Sequence, residues 1–165
     1  MKQDKFRSRV LPLVDKLFRL ALSITGSKED AEDVVQDTLF NVWKKKDDWE
    51  AIDSLEAYCF RSARNIAIDK ISLKVNQERV LDKDYDLAET RMSAQDQLEK
   101  EEQLFLLETF LKRLPEKQQT IFQLREVEGF SYKQIAEILE ITEEQVKVNL
   151  FRARQKLKDF FDQVN

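Results

Sequence analysis

Apolar side chains recur every three or four positions along most of this chain, which predicts amphipathic helices. Residues 4–24 predict one helix, and Gly26 ends it. Ser27 begins a second helix, and a third is predicted from about Ser54 to Lys74. The helical pattern resumes near Gln97, and no segment alternates as a strand would. We therefore expect an all-α fold.

The periodic pattern is lost between the two helical parts. Residues 76–96 are polar and charged, which favours a flexible acidic linker. On this division an N-terminal helical bundle covers residues 1–75, and a four-helix domain with a helix-turn-helix covers residues 97–165. Domains of about 70 residues bury only about 60% of their surface on folding, so both are expected to gain stability from a partner.

The same helix start signal occurs twice between Phe130 and Lys158. Ser131 is followed three positions later by Gln134, and Thr142 is followed by Gln145 in the same way. Each pair forms a capping box, in which the two residues satisfy backbone groups of the first helical turn. About three residues separate the two helical patterns, which is typical of a helix-turn-helix.

The second helix of this motif has two different faces. Its core stripe consists of Val146, Leu150, Ala153 and Leu157. The opposite face carries Glu144, Val148, Phe151, Arg152 and Gln155, flanked by Gln145, Lys147 and Lys158. Such a face fits the DNA major groove, where Arg and Gln read base edges and apolar groups contact thymine methyls. An ordinary solvated helix is the alternative, but exposed Val148 and Phe151 favour DNA.

Basic residues also cluster on the third helix, after a loop that contains Trp49. They are Arg61, Arg64, Lys70 and Lys74, with Asn65 among them. Cations interleaved with aromatic rings are used to hold single-stranded nucleic acid. An ordinary charged helix face explains this pattern about equally well.

Composition limits the chemistry that this chain can perform. It contains no histidine and one cysteine, Cys59, which excludes an internal disulfide, the usual zinc sites and histidine-dependent nucleophiles. Neither glycine belongs to a phosphate-binding loop, and no spacing singles out a pair of carboxylates. We expect no cofactor, no metal and no enzymatic activity. No apolar run or signal peptide is present, so we expect a cytoplasmic protein without membrane insertion.

The net charge of -4 is unevenly distributed. Residues 1–75 carry a net +1, residues 76–112 carry -5, and residues 113–165 are neutral. Because attraction to phosphates depends on local cations, the chain alone is expected to bind DNA weakly.

Four runs of sequence resemble the bacterial sigma-70 family, in its short extracytoplasmic-function (ECF) subgroup. They are DAEDVVQDTLFNVWK, YCFRSARNIAIDKI, LPEKQQTIFQLREVEGFSYKQIAEIL and VKVNLFRARQKL. The resemblance implies a sigma factor that binds core RNA polymerase and directs it to promoter DNA. It also implies that an anti-sigma factor holds the protein inactive, and that no small-molecule substrate is used.

The resemblance also implies roles for individual residues. The polymerase clamp is expected to bind Asp33, Gln36, Asp37 and Phe40. The -10 element is expected to be opened by Trp49, Arg61, Arg64, Asn65, Lys70 and Lys74. The -35 element is expected to be read by Lys133, Glu144, Gln145, Lys147, Val148, Asn149, Phe151 and Arg152. The acidic linker corresponds to the segment that the family threads near the RNA exit path.

One residue departs from the family pattern. The family usually has glycine in the helix-turn-helix turn, where this chain has Glu140. A left-handed glutamate there costs about 1 kcal/mol relative to glycine.

Three other classes of function remain to be compared with a sigma factor. A stand-alone helix-turn-helix repressor would bind duplex DNA as a dimer. A helical adaptor would use its basic faces to bind acidic proteins. An enzyme is the least favoured class.

Overall fold

The computed structural model describes residues 1–81 and 98–164, and these are built from helices and short connections. The N-terminal lobe, residues 1–81, contains α1 to α4. The C-terminal lobe, residues 98–164, contains α5 to α8. The helices are α1 (Lys2–Lys5), α2 (Val14–Thr25), α3 (Lys28–Lys44), α4 (Leu55–Leu81), α5 (Leu98–Arg113), α6 (Glu116–Phe122), α7 (Tyr132–Leu139) and α8 (Glu143–Val164). The expected all-α fold is confirmed.

The first predicted helix is interrupted. A π-helical turn covers Phe6–Val10 and a 3-10 turn covers Leu11–Leu13, so the regular helix α2 begins only at Val14. Pro12 lacks a backbone N–H and cannot continue an α-helical ladder, which accounts for the break. The predicted end is correct, since Gly26 caps α2 with a φ of 69°.

The third predicted helix is longer than expected. Helix α4 continues to Leu81 rather than ending near Lys74, so the first residues assigned to the linker are helical. The rest of the predicted linker lies outside the described residues. At the other end of α4, the Ser54 hydroxyl accepts the backbone N–H of Ala57 at 3.1 Å, so Ser54 is the cap.

The core of the N-terminal lobe lies between α2, α3 and α4. Its fully buried side chains include Leu17, Val34, Val42 and Phe60. Trp49 joins them through a 3-10 turn, Lys46–Ala51, and is only 3% exposed. Its indole N–H donates to the carbonyl of Val42 at 3.0 Å. Trp49 is therefore a structural residue.

Both predicted capping boxes form in the C-terminal lobe. Ser131 and Gln134 exchange hydrogen bonds of 2.9 and 3.1 Å at the start of α7. Thr142 and Gln145 do the same at the start of α8. The two helices are thus joined by a short, well-defined turn.

Helix α8 buries its predicted stripe. Val146, Leu150 and Ala153 are buried, and Leu157 is half-buried. Farther along, Phe160 packs with Phe110 of α5 in a second apolar cluster. This cluster fastens the end of α8 to the rest of the C-terminal lobe.

The two lobes share one hydrophobic core. Ile121, Leu124, Ile135, Ile138, Val146 and Leu150 belong to the same buried cluster as the N-terminal core. At the boundary, the ring of Phe130 meets that of Phe60 edge-on, with 5.0 Å between their centroids. The lobes are therefore packed on each other rather than separate.

Replacement of Trp49 tests its structural role. Because the side chain is buried and hydrogen-bonded, Trp49→Ala should lower the free energy of unfolding by about 3–5 kcal/mol. Phe40→Ala removes a ring that is 60% exposed, and should change the free energy of unfolding by less than about 0.5 kcal/mol. Urea unfolding followed by circular dichroism measures both. A loss below about 1 kcal/mol for Trp49→Ala would contradict the burial.

Candidate nucleic-acid and protein interfaces

The outward side of α3 carries an exposed aromatic ring among polar residues. Asp33, Gln36 and Asp37 are exposed, and Phe40 is 60% exposed. The Lys44 ammonium lies over this ring, 4.8 Å from its centroid. We call Asp33, Gln36, Asp37 and Phe40 the α3 face. The α3 face thus combines one exposed apolar ring with exposed polar and acidic side chains.

The basic residues of α4 are divided between two neighbours. Toward its end, Lys70 lies 3.5 Å from Asp33 and Lys74 pairs with Asp30, both on α3. Asn65 is exposed. The α3 face and these basic residues are therefore adjacent, which spacing along the chain does not reveal.

Arg61 points into the C-terminal lobe. Its guanidinium donates to the carbonyls of Ile138 at 3.1 Å and Glu137 at 2.5 Å. The carboxylate of Glu140 lies 3.0 Å from its Nε. Arg61 thus binds the C-terminal end of α7, where free carbonyls and the helix dipole favour a cation.

Arg64 makes a second bridge to the C-terminal lobe. Its Nη2 lies 2.6 Å from the Glu116 carboxylate, and its side chain is only 18% exposed. Its Nε is buried and has no hydrogen-bond partner. The packed lobes therefore leave one donor of this guanidinium unsatisfied, which is unfavourable.

Trp49 must be removed from the residues expected to contact the -10 element. Its ring packs between Phe6 and Trp43, with centroids 6.4 and 6.2 Å away. A base cannot stack on a ring that is enclosed on both sides by its own core. The sequence pattern did not distinguish an aromatic residue in the core from one on the surface.

Helix α8 presents an exposed face that combines charged and apolar side chains. Glu144 and Arg152 are exposed, and so are Val148 and Phe151, at 39% and 63%. We call Glu144, Val148, Phe151 and Arg152 the α8 face. The predicted separation of this face from the core stripe is confirmed.

Two other residues expected to read the -35 element have internal bonds. The Gln145 side chain accepts the backbone N–H of Thr142 at 2.9 Å, and Asn149 donates to the carbonyl of Gln145 at 2.7 Å. Lys133 and Lys147 are exposed, with Lys147 5.8 Å from the Tyr132 ring centroid. Gln145 and Asn149 therefore hold the first turns of α8 as well as lining its surface.

Glu140 adopts the left-handed conformation that its position requires. Its φ is 56° and its ψ is 45°, and it caps α7 through its N–H to the carbonyl of Ala136. Among the described residues other than glycine, it alone has a positive φ. The turn keeps its geometry without glycine, so the departure from the family pattern is absorbed locally.

A further bridge between the lobes was missed by sequence analysis. Arg19 of α2 donates two hydrogen bonds to Glu128, of 2.5 and 2.8 Å. The Glu128 side chain is 1% exposed, and its hydrogen bond raises the pKa of Arg19. The partners lie 109 positions apart, and no local pattern links them.

Comparison with known families accounts for both lobes. Residues 9–74 match the model for sigma-70 region 2, and residues 104–157 match that for sigma-70 region 4. The chain belongs to the sigma-70 family. Together with the relatives below, these two regions identify a sigma factor that directs RNA polymerase to promoters.

Curated relatives place this sigma factor in the ECF subgroup. It is 31% identical to the ECF RNA polymerase sigma factor EcfG of Rhodopseudomonas palustris, over 93% of this chain and 83% of the relative. It is 26% identical to SigE of Mycolicibacterium smegmatis over 88% of this chain, which spans 57% of that relative. SigW of Bacillus subtilis is 25% identical, over 94% and 88% of the two chains.

Solved structures with the same fold include a sigma factor bound to an anti-sigma factor. The sigma factor RpoE, in complex with the anti-sigma factor NepR from Bartonella quintana, superposes with a TM-score of 0.73. The match is 26% identical and covers 95% of this chain and 96% of that one. CnrH, in complex with the cytosolic domain of CnrY, has a TM-score of 0.73 at 23% identity, over 99% and 91% of the chains, and supports the fold.

Other kinds of site find no support in the described parts of this sigma factor. Residues 1–81 and 98–164 contain no group of three His, Cys, Asp or Glu that could hold a metal ion. None of the helices described is long and apolar enough to cross a membrane. Cys59 is buried, and burial raises the pKa of its thiol from 9.0 to about 12.

Cys59 should therefore be unreactive in the folded sigma factor. At pH 8 its thiol is protonated and shielded, so labelling by a thiol reagent should be at least about 100-fold slower than in urea. Absorbance of the released chromophore measures the rate. Comparable rates in the folded and unfolded chains would contradict the burial.

Proposed function

We propose that this sigma factor binds core RNA polymerase through the α3 face, reads the -35 element with α8 and opens the -10 element with α4. The polymerase performs the chemistry, and the chain itself is not an enzyme. The α8 face carries the proposal, since its exposed Val148 and Phe151 lie beside Arg152 on a capped helix of a helix-turn-helix.

Reading of the -35 element requires side chains that reach base edges. Arg152 is exposed and has the planar donor group that pairs with guanine in the major groove. Val148 and Phe151 supply the apolar contacts that distinguish thymine by its methyl group. Lys133 and Lys147 are placed to contact phosphates, which position the helix without reading sequence.

Opening of the -10 element is assigned to α4. Arg61, Arg64, Lys70 and Lys74 supply the cations for a displaced strand, and Asn65 supplies an amide that can bond to an unstacked base. Each of the four cations is engaged with an acceptor in the structure: Arg61 and Arg64 at the lobe boundary, and Lys70 and Lys74 on α3. Nucleic acid must therefore compete for them.

The proposed partners follow from these surfaces. Phe40 is assigned to an apolar pocket on the polymerase clamp, with Asp33, Gln36 and Asp37 making polar contacts around it. An anti-sigma factor is proposed as the inhibitor, and action on polymerase places the protein in the cytoplasm. Residues 1–75 and 97–165 are proposed as the two functional domains.

The stand-alone repressor is not favoured. It would use a helix-turn-helix to bind duplex DNA as a dimer, and would leave the exposed α3 face and the sigma-70 region 2 match unexplained. A gel shift without polymerase distinguishes the two, because only the repressor should shift duplex promoter DNA at low concentration.

Polymerase binding tests the first part of the proposal. Asp37→Lys or Phe40→Ala should weaken binding to core polymerase by about tenfold or more, or 1.4 kcal/mol, because each removes a central contact. Asp162→Lys makes the same charge change at an exposed position of α8, and this variant should bind core polymerase normally. Native gel titration measures affinity, and run-off transcription measures activity. Normal binding by both α3 variants would remove this assignment.

Promoter choice tests the second part. Arg152→Ala should reduce discrimination in favour of the cognate -35 element by about 1–3 kcal/mol. Arg154→Ala is the matched control, because Arg154 is paired with Glu126 at 2.6 Å instead of facing DNA. Run-off transcription from cognate and substituted promoters compares them. Equal losses of promoter discrimination in Arg152→Ala and Arg154→Ala would contradict the assignment of Arg152 to the -35 element.

A further inference from the structure

We propose that the C-terminal lobe competes with nucleic acid for the arginines of α4, through three arginine bridges that hold the chain closed. We call these bridges, made by Arg19, Arg61 and Arg64, the inter-lobe clasp. The assignment of Arg61 and Arg64 to -10 DNA rests on the proposed function. The closure itself rests only on contacts within this chain.

The first bridge engages Nε and Nη2 of Arg61, whose side chain is 30% exposed, with acceptors of the C-terminal lobe. The carbonyls of Ile138 and Glu137 at the end of α7 accept its hydrogens, and the Glu140 carboxylate forms an ion pair with it. These acceptors resemble nucleic acid chemically, because they present oxygen atoms with partial or full negative charge. DNA must therefore compete with these acceptors for Arg61.

Arg64 is held in a similar way by Glu116 at the start of α6. Its side chain is 18% exposed, so the packed lobe also blocks the approach of a strand. Both arginines are therefore engaged by the C-terminal lobe in the closed chain. Asn65, the next residue on α4, is exposed, and its side-chain oxygen accepts a hydrogen bond from Nη1 of Arg64 at 3.5 Å.

The third bridge closes the lobes without involving a residue of the DNA or polymerase surfaces. Arg19 donates two parallel hydrogen bonds to the Glu128 carboxylate, and this bidentate geometry favours strong pairing. Glu128 is almost fully enclosed and would be left as a buried charge if Arg19 were lost. This pair therefore offers a test of closure that leaves the proposed contacts intact.

Two features keep the closed form from being permanent. The buried Nε of Arg64 lacks a partner, and the Glu140 carboxylate that binds Arg61 is 69% exposed, so water screens that pair. Closing therefore satisfies some groups and leaves others unsatisfied. A ligand that offers better acceptors to the same arginines can shift the balance.

Reversal of the Arg19–Glu128 pair tests the clasp. Arg19→Glu should increase the open population about tenfold, because it places two carboxylates together in a partly buried site. Glu128→Arg should also increase the open population about tenfold. The double variant that combines Arg19→Glu with Glu128→Arg should restore the closed form. Arg154→Glu is the control, since the Arg154–Glu126 pair lies within one lobe. Small-angle scattering gives the radius of gyration, and hydrogen exchange reports protection of α4 and α7.

Competition is tested by binding of a fluorescent oligothymidylate. Arg19→Glu should raise affinity for this probe even though it makes the chain more negative, and the double exchange should return it to the original value. Circular dichroism checks that helix content is kept. If Arg19→Glu lowers helix content, Glu140→Gln decides, because it removes one charge of the Arg61 bridge at a side chain that is 69% exposed.

A second pair of variants tests the Arg61 bridge. Glu140→Gln keeps the size of the side chain but removes its charge, and should raise the open population about two- to fivefold. Glu137→Gln neutralises an exposed glutamate on the same turn of α7 and should leave it unchanged, since its carboxylate belongs to none of the ion pairs between described residues.

The outcomes separate closure from function. An unchanged radius of gyration and protection in Arg19→Glu would overturn the clasp. An opened chain with unchanged oligothymidylate affinity would overturn the competition. Neither measurement uses polymerase, so a failure of run-off transcription by the unaltered chain would refute the proposed function while leaving both results valid.

Discussion

The shared core between α4 and α7 is the interaction on which the rest of this structure depends. Phe60 is buried beneath Phe130, and Ile135 and Ile138 of α7 are buried in the same cluster. Burial of one such side chain contributes about 1.5–3 kcal/mol. The apolar contact brings the end of α7 to Arg61, and thereby determines which polar groups meet across the boundary.

The charged groups at this boundary follow from that packing. Once α7 lies on α4, Arg61 loses water and must find acceptors, and the free carbonyls at the end of α7 need donors. Each satisfies the other, with Glu140 adding its carboxylate. Arg64 is satisfied less completely, since its Nε has no partner. The boundary therefore joins a favourable apolar contact to a polar contact of modest strength, which suits an interface that has to open.

The helix-turn-helix is built differently, because its geometry is set locally. Its two capping boxes and the left-handed Glu140 define where α7 ends and α8 begins. The side chains of Gln145 and Asn149 form hydrogen bonds with backbone groups at the start of α8. Val148, Phe151 and Arg152 are exposed on the outward side of α8 and are the residues proposed to read DNA. A stiff helix start thus presents a small set of specific contacts.

Local pattern was sufficient for most of the helices and for the α3 and α8 faces. Capping pairs, apolar spacing and exposed Phe40 or Phe151 depend on neighbours within a few residues, so the sequence by itself determined them. Trp49 was misassigned because an aromatic ring suits a core and a base-stacking surface equally well. Arg19, Arg61 and Arg64 have partners far away in the chain, and only the packing of one lobe on the other decided that they face protein instead of solvent. Long-range contacts of this kind depend on how buried surfaces fit together, and periodicity along a single helix carries no information about that fit.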